Sequence, residues 1–133
     1  MATFQMGQAA DLLGVSTDTL RRWADAGRLP TTRTAGGRRL VDGVDLAELA
    51  RSLAVEPRAG GVASASARNR FTGIVTRVVL DTVMCQVELQ AGPHRIVSLL
   101  SREAVDELGL APGVLAVASI KATNVVVEVP TQP

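Results

Sequence analysis

The feature that most constrains the fold is a change of hydrophobic period along the chain. Up to about residue 53 the apolar side chains recur at helical spacing. From residue 71 onward they alternate, as on strands with one buried face. Between the two lies Glu-Pro-Arg-Ala-Gly-Gly-Val-Ala-Ser, residues 56–64, with a proline, a glycine pair and no period. Such a stretch reads as a linker. The chain is therefore expected to be an α+β protein of two small domains, 1–55 and 66–133, joined by 56–65. At 133 residues in all, each half has a modest core and is expected to lean on partners for stability.

In the first half, Met6, Ala9, Ala10 and Leu13 fall on one face of a helix that Gly14 closes. Ser16 is a good N-cap for a second helix, with Leu20, Trp23 and Ala24 as its apolar face and Gly27 as its end. Two short helices joined by a tight turn make a helix-turn-helix pattern. A third helix is predicted to start near Asp42, with Leu46, Leu49 and Leu53 inward.

The second half predicts strands over 71–80 and 83–89 around a two-residue turn, Asp81-Thr82. A third strand follows over 95–100. Ser101 caps a short helix with Val105 and Leu108 inward and Gly109 as its stop. Strands over 114–120 and 125–129 complete the set. Five strands and one short helix suggest a small Greek-key barrel of the OB type.

Composition narrows the function. Net charge is +1, so bulk charge names no partner. The single cysteine, Cys85, cannot make an internal disulfide and suits a reducing compartment. No apolar run reaches membrane-spanning length and no signal segment is visible, so a cytoplasmic protein without membrane contact is expected. His94 is the only histidine, and neither it nor Cys85 has a partner spaced to form a metal site. No Ser/His/Asp set, carboxylate pair or phosphate loop points to an enzyme.

Residues 1–58 carry 8 basic and 7 acidic side chains, yet the charge is unevenly placed. Arg28, Arg33, Arg38 and Arg39 occupy a stretch with no acid between Asp25 and Asp42, and Arg21 and Arg22 stand on the second helix. On charge alone this suits either a solvated face or DNA. The phrases Gly14-Val15-Ser16-Thr17-Asp18-Thr19-Leu20-Arg21-Arg22-Trp23, Gly27-Arg28-Leu29-Pro30 and Thr34-Ala35-Gly36-Gly37-Arg38-Arg39 together resemble the winged helix-turn-helix of the MerR/excisionase superfamily. The resemblance implies binding to double-stranded DNA. It makes Ser16, Thr17, Thr19, Arg21 and Arg22 candidates on the second helix, and Arg33, Arg38 and Arg39 candidates on a wing. Trp23 shares a face with Leu20 and is expected in the core.

Lys121 is the only lysine, and it interrupts an apolar stretch. Read alone, it either meets a small anion with Arg68 or snorkels at a strand end while Arg68 pairs with a carboxylate. Ser66-Ala67-Arg68-Asn69, Gly73-Ile74-Val75, the run from Ser101 to Gly113, and Ile120-Lys121-Ala122-Thr123-Asn124-Val125 resemble the Mop domain of molbindins and ModE-type repressors. That resemblance implies molybdate or tungstate as effector ligand. It places Ser66, Ala67 (by its backbone), Arg68, Ser101 and Lys121 in the oxyanion site, between subunits of a homo-oligomer, with a hexamer favoured over a dimer. The family pattern often has serine where Ala104 and Ala122 stand here.

Both resemblances imply a molybdate- or tungstate-responsive transcriptional regulator of molybdate uptake or molybdenum-cofactor genes. The alternatives are a molbindin-like storage protein with secondary DNA binding, and an architectural DNA binder that the Mop domain only assembles.

Overall fold

The computed structural model describes residues 2–54 and 66–131. The chain divides into two compact units, Met1–Glu56 and Pro57–Pro133. The linker expected over 56–65 lies outside the described residues. Among those residues no helix is long and apolar enough to cross a membrane.

The first unit runs β1 (Thr3–Gln5), α1 (Met6–Leu13), α2 (Thr17–Asp25), β2 (Thr32–Arg33), β3 (Arg39–Asp42) and α3 (Gly43–Leu53). Each helix start is capped by a nearby side chain. Gln8 accepts the Gln5 N–H at 3.0 Å, Ser16 Oγ accepts the Thr19 N–H at 3.1 Å, and Asp42 Oδ1 accepts the Val44 N–H at 3.3 Å. Gly14, at φ +70°, turns the chain from α1 into α2. The core gathers Met6, Ala9, Ala10, Leu20, Leu29, Val41, Leu46 and Leu49, with Trp23 packed against it as the sequence implies. Burying each of the larger side chains contributes roughly 1.5–3 kcal/mol. The strands form an antiparallel sheet in the order β1-β3-β2.

The second unit runs β4 (Asn69–Val79), β5 (Met84–Ala91), β6 (His94–Ser101), α4 (Arg102–Leu108) and β7 (Leu115–Ile120), then a 3-10 turn, Ala122–Asn124. All pairings are antiparallel, in the order β6-β5-β4-β7. β4 belongs to both halves of this sheet. It pairs with β7 from Asn69 to Ile74 and with β5 from Ile74 to Val79, with a register shift between Val75 and Arg77. A bulge at such a switch bends the strand and curls the sheet. Val75, Cys85, Val87, Leu89 and Val105 form the core on the concave side.

Three expectations need correction. The β4–β5 connection covers four residues, 80–83, rather than two, and within it the Asp81 side chain accepts the Thr82 N–H at 2.7 Å. Leu108 is 65% exposed, because it lies on the rim of an open groove and not over a closed core. Among the described residues the sheet has four strands, not the expected five. After β7 the backbone enters the 3-10 turn, and 125–129 find no strand partner; Val126, Val127 and Val129 are 83%, 84% and 89% exposed. β-branched residues favour strands only where a neighbouring edge is in reach. The sheet's own edges, β6 and β7, flank the open groove, about 480 Å³, floored by Val87 and Leu89.

Candidate nucleic-acid interface and anion site

At the front of α2 three side chains form one hydrogen-bonded chain. The Ser16 hydroxyl donates to Thr19 Oγ1 at 2.9 Å, and Arg22 Nη2 donates to the same oxygen at 3.3 Å. Thr17 begins the helix and is half-buried. The hairpin between β2 and β3 is built by its own backbone. The Thr34 N–H donates to the Arg38 carbonyl at 2.8 Å, the Gly37 N–H to the Thr34 carbonyl at 2.9 Å, and Arg33 Nη1 to the Gly37 carbonyl at 3.0 Å. Gly37 takes φ +86° at this turn. Arg39 donates to Asp25 at 2.7 Å, tying β3 to the end of α2. Arg28 stacks on the Trp23 ring at 4.9 Å, so both are occupied structurally. Arg21, Arg33, Arg38 and Arg39 all line one open cleft beside the start of α1. Of the predicted interface residues, Ser16, Thr19, Arg22, Arg33 and Arg39 all carry internal bonds, and Arg33 and Arg38 stand exposed on the hairpin.

In the second unit the ladder pairs Asn69 with Ile120. Asn69 Nδ2 also donates to the Ile120 carbonyl at 3.2 Å. Ser66, Ala67 and Arg68 therefore enter β4 beside the point where Lys121 leaves β7. Arg68 and Lys121 are exposed, and among the described residues neither makes an ion pair. Arg68 and Lys121 flank this one register pair, a placement of two cations that suits a small oxyanion. Lys121 is not within a strand: it is the N-cap of the 3-10 turn.

Ser101 lies elsewhere. It pairs with Met84, beyond the Val79–Gln86 pair at the far end of β4 from Asn69. Its Oγ accepts the Ala104 N–H at 3.1 Å as the cap of α4, which leaves its own proton to donate. Within one chain the five candidates thus form two groups, at opposite ends of β4.

Sequence reasoning gave no role to Asn69 or Glu88. Asn69 supplies the clasp just described. Glu88 is 8% exposed on the convex face, opposite Arg77 in the ladder and paired with Arg95, while Gln86 donates to it at 3.2 Å. The hydrogen bond from Arg95 holds its carboxyl below the usual range, against the opposing effect of burial. The available signal was parity: Gln86, Glu88 and Gln90 alternate with the core residues Val87 and Leu89. Among the described residues no cluster of His, Cys, Asp or Glu can hold a metal ion.

These features define a two-part protein: a helix-turn-helix unit carrying an arginine cleft, and a curled antiparallel sheet with two paired strand ends suited to an anion. Residues 5–41 match the model of the MerR family regulatory proteins, and residues 65–127 match that of the TOBE domain. Molybdenum-pterin-binding protein 1 of Clostridium pasteurianum is 37% identical over 65 residues, 48% of this chain and 96% of that protein. The molybdenum-pterin-binding protein MopA of Rhodobacter capsulatus is 36% identical over 102 residues, 75% of this chain. The match spans only 38% of MopA's length. A solved structure of the cytoplasmic molybdate-binding protein ModG, with molybdate bound, superposes with a TM-score of 0.51 and 42% identity, covering 55% of this chain and 52% of that one. The chain belongs to the TOBE-domain family of molybdenum-pterin-binding proteins, with a MerR-type region ahead of that domain.

Proposed function

We propose that the protein is a one-component transcriptional regulator whose winged helix-turn-helix, 1–55, binds duplex DNA and whose Mop domain, 66–133, binds molybdate or tungstate. The observation that supports the sensing half is the clasp of Asn69 on Ile120, at the end of the ladder where Arg68 precedes one strand and Lys121 follows the other. A tetrahedral dianion meets both cations there, with hydroxyl and backbone N–H donors from Ser66 and Ala67. The reading half rests on the arginine hairpin beside α2, a wing suited to phosphates.

The second unit assembles with copies of itself. Its groove is apolar and open between two unpaired edges, and 125–129 is a strand-forming segment without an edge. A segment donated by a second copy fills the groove and pairs those edges, a form of β-strand addition. It gives the barrel its fifth strand, and a hexamer is the favoured assembly. Ser101 of one copy completes the site at the Arg68–Lys121 end of another, which accounts for their separation within one chain. In the competing storage reading, to which the likeness to a molybdate-binding protein lends support, the anion is held without consequence for DNA. A gel-shift titration of the full chain, with and without molybdate, decides between them. A regulator shows binding to one duplex that depends on the anion. Stoichiometric anion uptake with indifferent DNA binding overturns the regulatory role.

A further inference from the structure

The cleft of the first unit encloses about 550 Å³ beside Gly7, at the start of α1, where backbone N–H groups carry partial positive charge. Its four arginines are not equivalent. Arg39 is neutralised by Asp25 at 2.7 Å, and its side chain is only 21% exposed, so it acts as a strut between β3 and α2. Arg33 spends one nitrogen on the Gly37 carbonyl and keeps its other donors. Arg38 makes no ion pair among the described residues. Arg21 meets only Asp18, at 3.6 Å, through a carboxylate that is 90% exposed, a pair of little strength. Three guanidiniums therefore remain for an anion.

Arg22 belongs to a different arrangement. Consecutive residues on a helix point about 100° apart, so Arg21 and Arg22 cannot share a direction. Arg22 is tethered through one nitrogen to Thr19, which Ser16 also holds. The tether draws the planar fork of Arg22, a residue of the last turn of α2, back toward Thr19 in its first turn and leaves its other donors free, the requirement for bidentate contact with a guanine edge.

We propose that these adjacent arginines do different work. Arg22 reads a base in the major groove, whereas Arg21 joins Arg33 and Arg38 in seating one backbone phosphate in the cleft. This division rests on the DNA-binding reading above. The test uses the full chain with sodium molybdate present. A preferred duplex is first enriched from a random-sequence library. Wild type, Arg21→Ala and Arg22→Ala are then titrated with that duplex and its single-base variants over a range of salt concentrations. Both side chains are exposed, so unchanged melting temperatures verify folding. Arg21→Ala is expected to weaken all duplexes alike and to flatten the slope of log affinity against log salt by about one. Arg22→Ala is expected to keep the slope and to reduce the preference at one base position by about tenfold to a hundredfold. The reverse pattern, or the same pattern in both variants, overturns the division. A wild type that binds duplexes without preference removes Arg22 as a base reader. A wild type that binds none overturns the DNA-binding reading itself.

Discussion

Replacing Gly73 with alanine tests the origin of the sheet's curl. Gly73 sits where β4 changes partner from β7 to β5. A Cβ at this position would lie 2.4 Å from the Gln90 carbonyl oxygen and 3.0 Å from its carbonyl carbon. Both are backbone atoms, so no side chain can swing aside. Restoring an ordinary contact of 3.4 Å from 2.4 Å requires the strands to part by about 1 Å. That strains the Ile74–Gln90 and Val75–Leu89 pairs next to it. Overpacking of this kind costs roughly 1–3 kcal/mol, and a weakened ladder bond about 1 kcal/mol more. Alanine offsets roughly 0.4–1 kcal/mol of this by restricting the unfolded chain. The net loss is about 1–3.5 kcal/mol. For a unit of this size it lowers the melting temperature by about 5–25 °C. Scanning calorimetry of the full chain reads this in the transition of the second unit, with the first unit's transition unmoved. A Gly73→Ala protein that melts within about 2 °C of wild type refutes the argument that close backbone approach sets the bend.

Lys121→Ala is expected to weaken molybdate binding by about tenfold to a hundredfold in calorimetry, since a charge-assisted hydrogen bond contributes roughly 1.5–3 kcal/mol; equal affinity removes Lys121 from the site. Val127→Asp is expected to reduce the assembly to smaller species in sedimentation, because an exposed strand segment that docks in an apolar groove cannot bury a carboxylate there; an unchanged mass excludes strand donation by 125–129. Glu88 has a lowered folded-state pKa, so its pairing with Arg95 stabilises the fold above the ordinary glutamate value, about pH 4.3, and this stabilisation fades as pH falls through the lowered value. The gap in urea midpoint between wild type and Arg95→Met is expected to be constant above about pH 5 and to close under more acidic conditions; a gap independent of pH contradicts an ionic role for Glu88.

The helices were legible because capping and apolar spacing are local. Ser16 and Asp42 cap their helices as their identities imply, and Leu20, Leu46 and Leu49 face the core. The sheet strands β4 to β7 were legible from alternation, but their register was not, since pairing is settled by distant partners. That limit hid the Asn69–Ile120 clasp and the separation, within one chain, of Ser101 from Arg68 and Lys121. The segment 125–129 differed for a related reason. Its composition states a strand preference, but after the 3-10 turn Ala122–Asn124 it pairs with neither open edge of its own sheet, β6 or β7. Arg39 looked like its neighbour Arg38 in sequence; only the fold shows that Asp25 holds one and leaves the other exposed.

The position of the proposed anion site suggests how ligand and assembly are coupled. Lys121 stands between the end of β7 and the segment proposed to leave for a second copy, with only the 3-10 turn Ala122–Asn124 intervening. Arg68 lies across the Asn69–Ile120 pair from it. Two like charges a few ångströms apart repel by about 1 kcal/mol in water and by about 4 kcal/mol at the lower effective dielectric of a covered surface. Donation of the segment covers this surface and so increases the repulsion. A dianion reverses the sign by attracting both cations, and its benefit is greatest in the covered state. Each subunit interface then gains stability as the anion concentration exceeds its dissociation constant. By reciprocity the assembled protein binds the anion more tightly than its separated subunits. In the proposed regulator, assembly would bring several DNA-reading units onto one complex and so raise their joint affinity for two half-sites. Neutralising Lys121 is thus expected to have opposite effects in the two conditions: assembly that is easier without molybdate, and less responsive to its addition.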